Sequence, residues 1–400
     1  MAEYLVQSQS LTAIADAIRE KTGKQKPLPL AQMPASIRAI QDLVSRIPTA
    51  VRQEAERVAE SIRGKQSEDQ VTFLVLADAH QFGEGEMGDA VMADIYRKSC
   101  RNAWLAAAWI ADQIDLDFAV DLGDLVYGTS ATTLRQGADG ILAVHRDSAA
   151  LEEKTRLFRV PGDHDPLTYS VSQNCSYLAP DLMAGLVGDY GFLDLEEQKL
   201  RLIFLNTADN RDREIQSDTG SQGISGEQLQ WFANHLDLSE KNQPEQWKIL
   251  IFSHHPLDWL GVREAANCIA AYLEGGAYEV THNGAAISYD YAGKNAAKIL
   301  GNLHGHTHCF LVDWLHEHRS GSPVETGVKR IAMPNVCYNP NNPYGAQPVN
   351  GLVYGQDTTY PKTAGDAAKC TAFCLVTVDL KCNRIHADCF GAGYDRVIDA

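Results

Sequence analysis

Residues 71–80, VTFLVLADAH, form a short apolar run that ends directly in Asp78 and His80. A run of this length, rich in β-branched and aromatic residues, is typical of a buried β-strand. Because the same pattern recurs, we predict five strands that each carry Asp or His side chains at the carboxyl end. The other four runs are DFAVDL before Gly123-Asp124, RLFRV before PGDHD (161–165), KILIF before SHHP (253–256) and AKILGNL before HGHTH (304–308).

Helical stretches lie between these strands, at about residues 90–113 and 132–153. Strands that alternate with helices indicate βαβ units with parallel strands, and therefore an α/β fold. Ligands of such folds bind where the carboxyl ends of the strands meet. We therefore expect the five strand ends to deliver their Asp and His side chains to one place.

The pattern changes after His308, where strand-like runs follow one another without long helices. The runs FLVDWL, VKRIAM, FCLVTVDL and RIHADCF predict a second, more antiparallel sheet, and the last two flank a hairpin turn at 381–383. Residues 334–366 contain five of the chain's 15 prolines, so we predict an irregular loop there. A lid over a site and a plain solvated surface are equally good interpretations of that loop.

The composition is that of a globular protein, with 44% hydrophobic and 22% charged residues among 400. The net charge of −17, from 35 Lys and Arg against 52 Asp and Glu, disfavours binding to long nucleic acids. No apolar run approaches the roughly 18 residues of a membrane span. The N-terminus, MAEYLVQSQS, lacks the features of a signal peptide, and nine scattered cysteines favour reduced thiols. We therefore expect a protein made in the cytoplasm.

Residues 1–66 differ in pattern from the rest and are predicted to be a small helical N-terminal extension. In their last helix, apolar residues recur at a spacing of four, three and four between Val51 and Ile62. We expect this face to pack on a neighbour, either the chain's own domain or another copy. A polar linker at 64–70 then separates the extension from a domain predicted to span residues 67–400.

The side chains at the five strand ends are a coherent set of candidate metal ligands. Carboxylate oxygens and imidazole nitrogens without thiolates suit Mn²⁺, Fe and Zn²⁺ better than soft metals. Seven ligands exceed the needs of one ion that also binds a substrate, whereas two ions about 3.5–4 Å apart would use them all. Because two-metal sites polarise phosphoryl groups, the set predicts hydrolysis of a phosphate ester. The candidate ligands are Asp78, His80, Asp124, Asp163, His254, His306 and His308.

In this order, the motifs Asp-x-His, Gly-Asp, Gly-x-His-Asp, His-x-Pro and Gly-His-x-His resemble those of the calcineurin-like metallophosphoesterases, over about residues 71–310. The resemblance implies a two-sheet β-sandwich flanked by helices and two divalent ions, with Mn²⁺ expected before Fe or Zn²⁺. It also implies that water or hydroxide bridging the ions attacks phosphorus. By the same resemblance, one ion is held by Asp78, His80 and His308, the other by Asp163, His254 and His306, and Asp124 bridges both.

His164 matches a family histidine that is not a metal ligand. The match implies that it stabilises the transferring phosphoryl group or protonates the leaving oxygen. A neighbouring carboxylate such as Asp165 would favour the imidazolium form that this role needs. His255, His304 and Asp121 flank the motifs and suit both a role in supporting the ligands and ordinary packing.

Asp163 departs from the family pattern, because the family usually has asparagine at this position. A carboxylate can still coordinate a metal, and its charge beside Asp124 should strengthen cation binding while it repels an anionic substrate. The departure predicts reduced or altered turnover. It also motivates the main alternative, a structural or receptor-binding component that keeps the fold with little or no turnover.

The substrate stays open at this point, because the family spans phosphomonoesterases, phosphodiesterases, nucleotidases and nucleases, and a protein phosphatase is a further alternative. The N-terminal segments LTAIADAIREKTG (11–23) and PLPLAQMPASIRAI (27–40) also resemble the start of phage tail and prophage proteins. That resemblance implies an attachment or oligomerisation segment, a virion-associated protein and a phosphodiester on a host surface as substrate. An ordinary helical extension is the alternative.

Overall fold

The structure is a computed structural model that describes the greater part of the chain, with the backbone alone for residues 90–98. The predictions for residues 1–46, and part of those for 132–153 and 334–366, lie outside the described residues. The described ranges are 47–63, 66–81, 90–126, 143–144, 146–165, 190–209, 222–336, 348–349, 352–353, 371–391 and 395–400.

The helices and strands are numbered here in chain order. The α-helices are α1 (Thr49–Ile62), α2 (Ala90–Gln113), α3 (Gly226–Leu236) and α4 (Arg263–Glu274), with a short helical stretch at 146–152 and a 3₁₀ turn at Pro244–Gln246. The strands are β1 (Gln70–Leu76), β2 (Phe118–Asp121), β3 (Leu157–Arg159), β4 (Gly191–Leu195), β5 (Leu200–Leu205), β6 (Lys248–Ser253), β7 (Ala277–His282), β8 (Ala285–Asp290), β9 (Lys298–His304), β10 (Leu311–Glu317), β11 (Val324–Ala332), β12 (Pro348–Val349), β13 (Leu352–Val353), β14 (Ala372–Asp379), β15 (Arg384–Gly391) and β16 (Arg396–Asp399).

Two six-stranded sheets form the centre of the fold. The first has the strand order β16-β15-β14-β1-β2-β3, with β1, β2 and β3 parallel and β14 antiparallel to β1. The second has the order β10-β11-β9-β6-β5-β4, and its four inner strands are parallel. The predicted fold class, two sheets flanked by helices, is therefore confirmed.

The five predicted strands all form, but they are divided between the two sheets, with β1, β2 and β3 in the first and β6 and β9 in the second. The prediction of a separate, more antiparallel C-terminal sheet is wrong. Strands β10 and β11 complete the second sheet, while β14 and β15 join β1 in the first. The physical reason is that β1 and β14 are buried on both faces, so each is suited to the middle of a covered sheet.

Some elements were not predicted at all. These are the β4–β5 and β7–β8 hairpins, helices α3 and α4, strand β16, and the short β12–β13 pair, which lies inside the loop predicted to be irregular. The predicted helix at 90–113 and the predicted hairpin at 381–383 are confirmed.

Apolar side chains fill three layers, because the strands bury both faces. Phe73, Phe118, Phe204 and Phe252 belong to the layer between the sheets, where Phe73 stacks on Phe118 with ring centroids 4.4 Å apart. Helices α1 and α2 cover the outer face of the first sheet, and α3 and α4 cover that of the second. The loops at the carboxyl ends of the strands are thus supported from both sides.

Helix α1 packs against α2 and β15 of the same domain. The apolar face predicted between Val51 and Ile62 is buried, together with Ile47. The neighbour that this face contacts is therefore the chain's own domain. Among the described helices, none combines the length and the apolar character that crossing a bilayer requires.

Candidate metal centre

The loops that follow β1, β2, β3, β6 and β9 bring all seven candidate ligands together. Each ligand lies within a few residues of the carboxyl end of its strand, the end at which ligands of parallel sheets bind. Five ligands have a left-handed backbone, which is costly for residues other than glycine and concentrates at functional sites. Their φ angles are 53° for Asp78, 44° for His80, 54° for Asp124, 64° for His306 and 50° for His308.

The first cluster consists of Asp78, His80 and His308. The Nε2 atoms of His80 and His308 lie 3.0 Å apart, and His308 Nε2 lies 3.5 Å from Asp78 Oδ1. Burial lowers the pKa of His80 to about 3, so this imidazole is neutral and keeps a lone pair for a cation. The cluster offers two nitrogens and one carboxylate at the spacing of a shared ion.

The second cluster is centred on Asp163. Its Oδ1 lies 3.0 Å from His254 Nε2, 3.0 Å from His306 Nδ1 and 3.3 Å from His255 Nε2. Burial alone would raise the pKa of the Asp163 carboxyl, but hydrogen bonds from these three histidines outweigh it and hold the pKa well below its usual value. Asp163 is therefore ionised within a ring of imidazoles.

Asp124 lies between the two clusters. Its Oδ2 is 3.6 Å from His80 Nε2 in the first cluster and 3.3 Å from His254 Nε2 in the second. Burial would raise the pKa of the Asp124 carboxyl, but the neighbouring His254 outweighs this effect and keeps the pKa well below normal. One carboxylate thus contacts both groups, as the bridging position requires.

The donor set fits two divalent cations. Three buried carboxylates that remain ionised accumulate negative charge, which is costly in a protein interior unless positive charge compensates it. Imidazole nitrogens face one another at 3.0 Å between His80 and His308 and at 3.2 Å between His254 and His306. Such convergence of lone-pair donors on carboxylates is the arrangement of a metal site.

Backbone hydrogen bonds fix the orientation of the candidate ligands. His254 donates its Nδ1–H to the carbonyl of Leu122 at 2.8 Å, which leaves Nε2 directed at the site. The backbone N–H of His306 donates to both oxygens of Asp78, at 2.9 and 3.1 Å. The backbone N–H of His164 donates to Asp124 Oδ1 at 2.9 Å. The loops therefore hold one another in place.

Asp165 joins the loops that follow β2 and β3. Its oxygens accept backbone N–H groups of Asp124, Gly162 and Val126 at 2.9–3.2 Å. That it also favours the imidazolium form of His164 stays a prediction. Burial raises the pKa of Asp165 to about 7, so it is a weak counter-charge near neutral pH. Its contacts brace the loops after β2 and β3 against each other.

Glycine is required where these two loops meet. Gly123 has a φ of 98°, and a Cβ atom there would lie 2.6 Å from the backbone nitrogen of Gly162. A Cβ atom on Gly162 would lie 2.2 Å from Asp124 Oδ1. Both glycines of the sequence motifs therefore permit the close backbone contact that positions Asp124.

The sequence leaves open the roles of His255, His304 and Asp121. His304 and Asp121 hydrogen-bond within the loops that carry the ligands, whereas His255 belongs to the group around Asp163 that could hold an ion. His255 Nδ1 is 3.0 Å from Thr207 Oγ1, and its other nitrogen faces Asp163. His304 donates its Nδ1–H to the carbonyl of Gly305 at 2.9 Å, and Asp121 accepts the N–H of Gly123 at 3.0 Å. The sequence shows that His255 follows a candidate ligand directly, but nothing in it indicates the contact with Thr207.

The site opens on one side. The side chains of His164, His306 and His308 are 17%, 20% and 30% exposed, whereas those of Asp124 and His254 are 2% and 0% exposed. In the described part of the chain, solvent therefore reaches the site past the three partly exposed histidines, with the carboxylates behind them.

Comparisons with known proteins agree with this geometry. The family model described as calcineurin-like phosphoesterase matches residues 71–310, more than half of the chain. A search of curated proteins finds no match. The family match begins at residue 71, so it gives no support to a relation between the N-terminal segment and phage tail proteins.

The chain is similar to several solved structures. A dimetal phosphatase from Danio rerio has 16% sequence identity and a TM-score of 0.50, over 82% of this chain and 98% of that one. A structure of PhoD has 13% identity and a TM-score of 0.43, over 82% and 68% of the two chains. The purple acid phosphatase PPD1 from yellow lupin (Lupinus luteus) seeds has 9% identity and a TM-score of 0.44, over 82% and 54%. At 16% identity, the likeness to the dimetal phosphatase concerns the fold alone.

Proposed function

The chain belongs to the calcineurin-like phosphoesterase family, and we propose that it hydrolyses a phosphate ester at a site for two divalent metal ions. The observation that carries this proposal is the pair of ligand clusters that share Asp124. A shared carboxylate between two sets of imidazoles is the ligand arrangement of two-metal hydrolases.

We assign the candidate ligands to two ions. Asp78, His80 and His308 would hold one ion, and Asp163, His254 and His306 the other, with Asp124 between them. When bound, the two cations supply the Lewis acidity that polarises the phosphoryl group and generates the attacking hydroxide. Oxygen and nitrogen donors without thiolates suit Mn²⁺, Fe and Zn²⁺, and the resemblance to the family puts Mn²⁺ first.

We assign His164 to the transferring phosphoryl group. Its backbone is fixed by the hydrogen bond to Asp124, and its Nε2 lies 4.0 Å from Asp124 Oδ2, on the open side of the site. From there the imidazole can donate a hydrogen bond to a phosphoryl oxygen or a proton to the leaving oxygen. The residue thus serves the substrate rather than a metal.

The test compares bis-p-nitrophenyl phosphate with p-nitrophenyl phosphate, with added Mn²⁺ and with a chelator. We expect turnover that requires the metal, and the ratio of the two rates then distinguishes a phosphodiesterase from a phosphomonoesterase. If metal binds but neither ester is hydrolysed above the chelated blank, the proposal that the chain hydrolyses esters of this class is refuted.

Asp163 favours a second candidate function. Its extra charge, set among three imidazoles, strengthens cation binding while it opposes an anionic substrate. In this alternative the chain is a structural or receptor-binding component that binds metal and hydrolyses little or no ester. Metal bound at normal stoichiometry without hydrolysis is the result that distinguishes it.

A further inference from the structure

We propose that Trp259 and Leu260 form an apolar contact for an aromatic ring carried by the phosphate ester. This inference rests on the proposed function, because it concerns the organic part of the same substrate. Both residues belong to the loop at 256–262, which leads from His254 and His255 into α4. The loop contacts the metal centre through Trp259, exposes Leu260 to solvent and is held rigidly.

Trp259 adjoins the open side of the centre. Its ring meets the ring of His306 edge to face, with centroids 5.2 Å apart and an interplanar angle of 86°. His306 is one of the three partly exposed histidines at the opening. A phosphate held by the ligand clusters has its organic group on this side, because the carboxylates behind the histidines are buried. Trp259 contacts one of the three histidines past which that group extends, and we place the group on its side of the opening.

Leu260 extends the apolar surface into solvent. It is 71% exposed, more than any other large hydrophobic side chain among the described residues. A single exposed leucine is ordinary on a protein surface, so exposure alone would assign no role. It follows Trp259 directly in the chain, so we assign it to the same apolar surface as the ring that contacts His306.

The loop is held rigidly, so its contact surface exists before a substrate binds. Leu257 and Val262 are fully buried in the core of the second sheet and its helices. Asp258 accepts hydrogen bonds from Arg330 Nη1, at 2.8 Å to one oxygen and 3.0 Å to the other. Gly261 has a φ of 103°, and a Cβ atom there would lie 2.6 Å from the carbonyl oxygen of Gln222.

Rigid apolar side chains bind a flat ring at low entropic cost. The indole face and the leucine methyl groups suit an aromatic ring, which gains dispersion and ring-to-ring contacts there. The charge of Asp258 is already compensated by Arg330, so it does not call for a cationic group. The ring can come from an aryl ester or from a nucleobase, and the experiment separates these sources.

The experiment measures binding by calorimetry to the full chain loaded with Mn²⁺, and needs no turnover. Phenylphosphonate and methylphosphonate share the anionic group and differ in the ring. Adenosine 5′-phosphate and ribose 5-phosphate repeat the comparison for a nucleobase. We expect the aromatic member of a pair to bind about fivefold more tightly, the size of one aromatic contact.

Leu260→Ser is the decisive variant, because Trp259 also packs on the core and Trp259→Ala risks a loss of folding. Leu260→Ser should remove most of the aromatic preference and leave the affinity for methylphosphonate unchanged. Val397→Ser, which alters a 63% exposed side chain on β16, is the matched control and should keep the full preference.

Equal affinities for phenylphosphonate and methylphosphonate in the unaltered protein would overturn the inference. So would a full preference in Leu260→Ser. If only phenylphosphonate binds more tightly than its ring-free partner, the ring comes from an aryl ester. If adenosine 5′-phosphate also binds more tightly than ribose 5-phosphate, the contact accepts nucleobases as well. An aromatic preference in a protein without hydrolytic turnover would refute the proposed hydrolysis and leave the contact standing.

Discussion

Asp163 adds a third ionised carboxylate to a buried group of ligands. Its Oδ1 contacts imidazole nitrogens of His254, His255 and His306 within 3.3 Å. An asparagine at the same position would keep an oxygen for coordination and remove the charge. The effect of aspartate in place of the family's usual asparagine can therefore be tested with one small substitution at position 163.

Asp163→Asn should weaken Mn²⁺ binding about tenfold, which corresponds to roughly 1.4 kcal/mol, because one negative charge is lost beside the cation. The KM for an anionic phosphate ester should fall, because the same charge no longer repels it. Calorimetric metal titration and steady-state kinetics measure the two effects. An unchanged metal affinity together with an unchanged KM would show that the charge at Asp163 has no bearing on function.

His164→Gln should lower kcat by about 10²-fold to 10⁴-fold, the usual contribution of a general acid. Metal affinity should stay within about twofold, because His164 is assigned to the substrate and not to an ion. Kinetics and metal analysis of the same preparation separate these quantities. His386→Gln on β15 is the control histidine variant. A large loss of bound metal in His164→Gln would contradict the assigned role.

The seven candidate ligands could be predicted because each follows an apolar run directly, so its position at a strand end is a local property of the sequence. The contacts of Asp165 and of the His255–Thr207 pair were not accessible in this way. They depend on how the backbones of separate loops approach each other, as at Gly123 and Gly162. Such distances arise from tertiary packing, which no motif reports.

At the scale of elements, the β4–β5 hairpin contains an ion pair between a buried arginine and a partly buried aspartate. Asp194 on β4 lies directly opposite Arg201 on β5, which donates from Nε at 2.7 Å and from Nη2 at 2.8 Å. Lys241 adds a contact at 2.8 Å. Burial raises the pKa of Asp194, but the hydrogen bonds from Arg201 and Lys241 outweigh it, so the pKa lies below its usual value.

Asp194→Asn should therefore lower the free energy of unfolding by about 2 kcal/mol at pH 7, because a buried guanidinium loses its charged partner. A carboxyl with a depressed pKa stabilises the fold above its unfolded pKa, near 4, and this stabilisation is lost as the pH falls through the lower folded value. The difference between the two proteins should thus be constant above about pH 5 and shrink below about pH 4. Urea unfolding across this range measures it.

The chain supplies a matched control for this ion pair. Asp399 on β16 lies opposite Arg384 on β15 in the same cross-strand relation, but Asp399 is 80% exposed. Asp399→Asn should leave stability unchanged, because exposed ion pairs contribute little. Equal effects of the two substitutions, or a difference for Asp194→Asn that does not vary with pH, would contradict the interpretation of the buried pair.

The elements themselves were predictable in part. β1, β2, β3, β6 and β9 each form from an apolar run that ends in Asp or His, and all five were predicted. The β7–β8 hairpin had a usable signal in Asn283-Gly284, whose φ angles of 49° and 83° suit a two-residue turn. The division of the strands between two sheets was not predictable. Strand β1 pairs with β14, which lies far away in the sequence, and the parallel strands of both sheets have the same apolar sequence pattern.

At the scale of the whole molecule, the boundary predicted between residues 66 and 67 can be tested through α1. Its apolar face contacts α2 and β15, and Glu54 accepts the backbone N–H of Gly391 at 3.2 Å. Val58 and Ile62 are among the buried residues of this face. Burial of several such side chains contributes on the order of 5 kcal/mol, comparable to the net stability of many domains.

Two truncated chains separate the role of α1 from that of the residues before it. A chain of residues 47–400 should keep the thermal stability of the full chain, whereas a chain of 67–400 should lose it, because the apolar surface under α1 becomes exposed. Val58→Asp should act like the longer deletion, and Glu60→Gln, on an exposed site of the same helix, should have no effect. Equal stability of the two truncated chains would place the domain boundary after α1, as the sequence pattern predicts. The native mass of the 47–400 chain, compared with that of the full chain, then tests whether residues 1–46 hold copies of the protein together.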